Sequence, residues 1–66
     1  MGVILYSTGC PKCIVLGKKL EMKGIQYEVC NDVDVMTGKG FMSVPMLEVG
    51  GEVKDFMSAI NWVNNY

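Results

Sequence analysis

The stretch Val3-Ile4-Leu5-Tyr6-Ser7-Thr8-Gly9-Cys10-Pro11-Lys12-Cys13 decides how this chain begins to fold. Val3 to Tyr6 is apolar, partly β-branched and without alternation, which reads as a strand covered on both faces. Ser7-Thr8-Gly9 interrupts it. Pro11 then stands where the first turn of a helix begins, a position that favours proline because its missing N–H would have no intrahelical partner. From Cys13 onward Leu16 and Leu20 recur at helical spacing, and Ile14 and Val15 are expected to broaden the stripe. Lys18, Lys19, Glu21 and Lys23 fall on the solvated side, and Gly24 reads as the left-handed residue that closes the helix.

Beyond this unit, Ile25 to Cys30 reads as a second strand, with Ile25, Tyr27 and Val29 alternating against Gln26 and Glu28. Asn31 to Gly40 is acidic and contains glycine, with room for one helical turn around Asp34 to Thr37. Pro45 to Val49 is the next strand, with Pro45 at its start or on an edge because it cannot donate to a ladder. Gly50-Gly51 signals a hairpin into a return strand at Glu52 to Lys54. Asp55 suits the N-cap of a closing helix that carries Phe56, Ala59, Ile60 and Val63 on one side. The order β-α-β, a connection, then β-β-α predicts an α/β fold with a four-stranded mixed sheet and a middle helix shortened or missing. Met22, Met36, Met42, Met46 and Met57 are expected to fill gaps in the core, and Trp62 and Tyr66 to pack against the sheet.

At 66 residues, residues 1–66 form a single domain. Half of the residues are hydrophobic and 20% are charged, the balance of a packed globule. A net charge of −1 offers no electrostatic attraction for nucleic acid or an anionic membrane. The absence of histidine excludes an imidazole base and every His-containing metal site. Three cysteines do not make a disulfide-stapled secreted scaffold, since one stays unpaired. Val3 to Tyr6 is too short for a signal-peptide core, and Met1-Gly2 lacks the Ser or Thr that myristoylation wants where Tyr6 stands. A cytoplasmic monomer is the expectation.

Cys10 and Cys13 set two thiols three residues apart where a strand runs into a helix. With Pro11 as the first helical residue, Cys10 is the N-cap, and its sulfur faces the free N–H groups of Lys12 and Cys13. Those donors, the helix dipole and the Lys12 ammonium favour a thiolate, the attacking species in disulfide exchange. Cys13, one turn on and beside Leu16, is placed to resolve the resulting mixed disulfide. Structural zinc would have to draw on Cys30 and on Asp32 or Asp34. An iron–sulfur cluster shared between two chains, with Cys10 as a ligand, is a further alternative. Cys30 itself reads as a small buried hydrophobe.

Tyr6-Ser7-Thr8-Gly9-Cys10-Pro11-Lys12-Cys13 together with Ser43-Val44-Pro45 resembles the glutaredoxins, within the thioredoxin-like superfamily. The resemblance spans nearly the whole chain in element order and implies a minimal thioredoxin-like fold. It implies a thiol–disulfide oxidoreductase whose redox pair is Cys10 and Cys13. It also implies a cis bond between Val44 and Pro45 that leaves the Val44 backbone free to pair with an extended substrate. Tyr6, Thr8, Pro11, Lys12, Ser43, Val44, Pro45 and Asp55 become the residues expected to hold substrate or glutathione. No tightly bound cofactor and no metal are implied. Disulfide-containing proteins are the expected substrates, with glutathione as the expected electron donor.

The chain departs from the family in telling places. Thr8 stands where glutaredoxins often carry lysine, and Lys12 where they carry an aromatic residue. The glycine pair that binds the γ-glutamyl end is missing around Asp55, Phe56 and Ser58. The alternative is a glutaredoxin-like redoxin that takes electrons from a flavoprotein reductase and serves ribonucleotide reductase. A thioredoxin-fold binding or cluster-carrying module that does not turn over is the reading from a different class.

Overall fold

The structure, a computed structural model, describes residues 2–66, so the Met1 half of the Met1-Gly2 start lies outside it. The elements run β1 (Val3–Tyr6), α1 (Pro11–Met22), β2 (Glu28–Cys30), α2 (Val33–Gly38), β3 (Met46–Val49), β4 (Glu52–Lys54) and α3 (Phe56–Asn64). The strands form one four-stranded sheet in the order β2-β1-β3-β4. β1 and β2 are parallel, with Ile4 opposite Glu28, and the other two pairings are antiparallel. This is the mixed α/β sheet expected from the element order, and it is compatible with a minimal thioredoxin-like fold. No helix among the described residues is long and apolar enough to cross a membrane.

Strand pairing sorts side chains between the two faces. Leu5 lies opposite Leu47 and Val3 opposite Val49, so these four share one face. Leu16 and Leu20 from α1 and Ala59 and Val63 from α3 close over that face and, with Ile25, complete the core. α1 and α3 pack on each other, and α3 also meets β3 and β4. Phe56, Ile60 and Trp62 flank this core half-buried, while Tyr66 stays exposed with its ring 5.3 Å from that of Trp62.

The opposite face carries Ile4, Tyr6, Met46 and Glu48. Tyr6 is buried there, whereas Val3 and Ile4 are half-buried, so the strand is fully covered only at its Cys10 end. The cover comes from the segment after α2. Both α1 and α2 end in the same hydrogen-bonded motif, in which a glycine follows the last helical turn with positive φ. Gly24 (φ 69) donates to the Glu21 carbonyl and Ile25 to that of Leu20; Gly40 (φ 79) donates to Thr37 and Phe41 to Met36. In each case the residue after the glycine is an apolar plug. Ile25 enters the core, and Phe41 meets the Tyr6 ring edge-on at 4.9 Å.

Four expectations need correction. The second strand is confined to Glu28–Cys30, because Ile25 is drawn into the core at the end of α1 and pairing with β1 begins at Glu28. As an edge strand it leaves Val29 exposed and Cys30 half-buried, so Cys30 is not a core residue. Ile14 and Val15 do not widen the helical stripe, since both are exposed while Leu16, Gly17 and Leu20 face inward. Of the methionines among the described residues, only Met36 is buried and Met46 is half-buried. Met22, Met42 and Met57 face solvent, Met22 and Met57 because each sits two residues from the inward row of its helix.

Candidate active site

Cys10 takes the N-cap position of α1 with extended backbone (φ −69, ψ 164), and Pro11 is the first helical residue. The Cys13 backbone N–H donates to the Cys10 Sγ at 3.3 Å, and the Ile14 N–H to the Cys10 carbonyl at 3.0 Å. A sulfur at a helix N-terminus thus receives a donor that would otherwise lack an intrahelical partner, in the field of the helix dipole. Cys10 is half-exposed while Cys13 is 2% exposed. Access from solvent therefore differs sharply between the two sulfurs.

Burial pushes the Cys13 thiol up. Hydrogen bonds from the Cys10 and Ser7 side chains and from the Thr8 and Cys10 backbone more than offset this, bringing it from 9.0 down to about 7. Ser7, absent from the residues singled out by sequence, is 9% exposed and lines one groove with Cys13, which places it beside the site. The signal that could have found it is a hydroxyl placed between an apolar strand and the Cys-Pro-Lys-Cys turn.

Thr8 is exposed and shares a groove of about 190 Å³ with Phe41, Met42, Ser43 and Val44. The groove includes Val44, whose peptide bond to Pro45 is cis. Pro45 is fully buried, whereas Val44 is half-buried and Ser43 exposed. Pro11 and Lys12 are exposed on the first turn of α1, and the Lys12 ammonium lies 5.5 Å from the centre of the Phe56 ring. This contact ties the start of α1 to the start of α3. There Asp55 is the N-cap, accepting from the Ser58 N–H at 2.8 Å, which holds its carboxyl below the usual range.

Tyr6 is not brought to this surface. Its hydroxyl donates to Glu48 Oε1 at 3.1 Å, Lys39 lies 3.8 Å from the same oxygen, and the Lys39 ammonium sits 5.8 Å from the ring centre. With Phe41 packed on its edge, Tyr6 is a clasp between the sheet and the segment leading to Ser43-Val44-Pro45. Among the described residues no group of three or more Cys, Asp or Glu side chains converges as a metal site. No protein-family model matches the chain, and no curated protein matches it.

Proposed function

We propose that the protein is a glutaredoxin-like thiol–disulfide oxidoreductase that reduces protein or glutathione mixed disulfides through Cys10 and Cys13. The observation that carries this reading is the asymmetry of the pair: a half-exposed Cys10 sulfur at a helix N-cap, and a buried Cys13 one turn behind it. The Cys10 thiolate attacks one sulfur of a substrate disulfide, forming a mixed disulfide and expelling the first thiolate. Cys13, as thiolate, attacks the Cys10 sulfur, closes the Cys10–Cys13 disulfide and expels the second. Two electrons from a donor then restore the dithiol.

The surface supports a protein substrate. Ile14 on α1, Met57 on α3 and Met42 in the groove, at 51%, 67% and 99% exposure, are apolar side chains left on the elements that carry the site. Met42 and Met57 are flexible and adaptable to varied partners. A backbone segment laid beside Val44 would pair with its free peptide groups as an added strand.

The resemblance puts the γ-glutamyl end of glutathione at the start of α3, where Asp55 is the N-cap and the family's glycine pair is missing, while Thr8 supplies no cation. Glutathione and a flavoprotein reductase are therefore both carried forward as donors. Three free thiols fit a reducing compartment such as the cytoplasm.

The test uses two variants and two donor systems. Cys13→Ser is expected to accumulate a mixed disulfide at Cys10, visible by intact mass, and Cys10→Ser to be inactive. A Cys13→Ser protein that forms no adduct with a disulfide substrate would overturn the assignment of roles. Turnover with glutathione and glutathione reductase, set beside turnover with thioredoxin reductase, identifies the donor. Failure to cycle with either supports a non-catalytic module.

A further inference from the structure

Charge is divided unevenly along the chain. Residues 11–23 carry four lysines and one glutamate, whereas the rest carries six carboxylates and two lysines. Those two are paired: Lys39 lies 3.8 Å from Glu48, and Lys54 lies 3.2 Å from Glu52. Among the described residues none of Lys12, Lys18, Lys19 and Lys23 forms an ion pair. Glu21, the one carboxylate on α1, instead accepts from the Tyr27 hydroxyl at 3.2 Å. α1 is therefore a cationic element on a molecule that is otherwise anionic.

Apolar side chains are set among these lysines. α1 turns Cys13, Leu16, Gly17 and Leu20 inward. Pro11, Ile14, Val15, Lys18 and Met22 are exposed on the outward side, where spacings of three and four residues align them in one row. The row begins at the residue next to the half-exposed Cys10. Lys12 flanks its start, 5.5 Å from the centre of the Phe56 ring.

We infer that the outward row of α1 is a docking face for a protein disulfide substrate whose reactive cysteine adjoins an acidic, apolar segment. The inference rests on the reading of Cys10 as the attacking thiol and names the class of substrate it serves. Carboxylates of such a segment meet ammonium groups that no internal pair compensates, and its apolar side chains cover Ile14, Val15 and Met22. A helical rise of 1.5 Å per residue sets Lys18 about 10 Å and Met22 about 17 Å beyond Pro11. An extended segment of about five residues, at about 3.3 Å each, spans the row. An anionic membrane is the poorer match, because the row holds no aromatic or leucine anchor and the rest of the chain is acidic.

The test uses synthetic peptides, each with one cysteine held as a mixed disulfide with thionitrobenzoate and followed by a tail of about six residues. The tails alternate aspartate with leucine, lysine with leucine, or serine with glycine. In a Cys30→Ser background the Cys10 thiolate bonds to the peptide sulfur as the peptide–thionitrobenzoate S–S bond breaks. Thionitrobenzoate leaves with the electron pair and is read by stopped-flow absorbance. The acidic tail is expected to react about tenfold faster than the lysine tail at ~20 mM salt, and about twofold faster at ~0.5 M. Lys18→Glu combined with Lys23→Gln, both exposed, should cut the low-salt ratio to about threefold or less. The same variant should leave the serine–glycine peptide rate unchanged. Equal rates for the acidic and lysine tails, or a ratio that the variant retains, overturn the docking face. Salt-sensitive sedimentation with phosphatidylserine vesicles that the variant loses would give the face to a membrane and overturn it as well. No release from any peptide, or release that survives Cys10→Ser, overturns attack by Cys10, and this inference with it.

Discussion

Replacing Tyr6 with Phe separates scaffold from site at one atom. The substitution removes the hydroxyl that donates to Glu48 Oε1 at 3.1 Å but leaves the ring against Phe41 at 4.9 Å. A hydrogen bond to a charged acceptor contributes about 1.5–3 kcal/mol net. Part of that is retained, because Lys39 still lies 3.8 Å from the Glu48 carboxylate. The expected loss is therefore about 1–2 kcal/mol, set against roughly 3–10 kcal/mol for a whole domain of this size. Urea unfolding at neutral pH should show the midpoint falling by about 1–2 M at an unchanged slope, since small domains lose about 1 kcal/mol per molar urea.

The pH dependence adds a signature. Burial, then the bond to Glu48 and its charge, hold the Tyr6 hydroxyl above its ordinary 10.0. The stability this bond contributes is fully present below that pH and is lost as pH rises through the higher folded-state value. Tyr6→Phe should lack this alkaline component. Substrate affinity of the folded variant should match that of the unaltered protein, because Tyr6 does not reach the groove. An unaltered midpoint, or weakened substrate binding at an unaltered midpoint, would refute the clasp and return Tyr6 to the substrate-binding residues.

Two further outcomes follow from the same geometry. With the Cys13 thiol brought down to about 7, the reduced protein should gain stability as pH rises from about 7 toward 9.0 and lose it as pH falls through about 7; urea midpoints that stay flat across that range would contradict this. In the core, Leu47 is 0% exposed at the centre of the sheet opposite Leu5, so Leu47→Ala should cost about 3 kcal/mol. That corresponds to a thermal midpoint lower by about 12–24 °C for a domain this small, and a drop under about 5 °C would refute the assigned packing.

Local chemistry made much of the fold legible in advance. Pro11 at the first helical position, Gly24 after the first helix, the Gly50-Gly51 hairpin and the Asp55 cap each solve a backbone problem within a few residues, and each stands where expected. Cys10 belongs with them, since an N-cap is defined by its own turn. The errors fall where a decision depends on what lies across the fold. Ile14, Val15, Met42 and Met57 are apolar residues with no partner face, and hydrophobicity alone does not reveal whether one exists. Tyr6 enters the expected site through the motif that resembles glutaredoxins, yet alternation along the strand turns it to the face opposite the core. Ser7 and Cys13 line one groove although a loop and the first residues of α1 separate them, a proximity that no local pattern signals.

The amino-acid sequence by itself determined the order of the elements, the caps that begin and end the helices, and the placing of two thiols at a strand-to-helix turn. These rest on short-range backbone hydrogen bonding and conformational preference, which neighbouring residues settle among themselves. Only the tertiary structure decided that Tyr6 is clasped beneath Phe41, and which side of β1 Glu48 and Lys39 close over. Those outcomes depend on strand register and on helices packing across the sheet, contacts between residues as far apart in the chain as Tyr6 and Glu48.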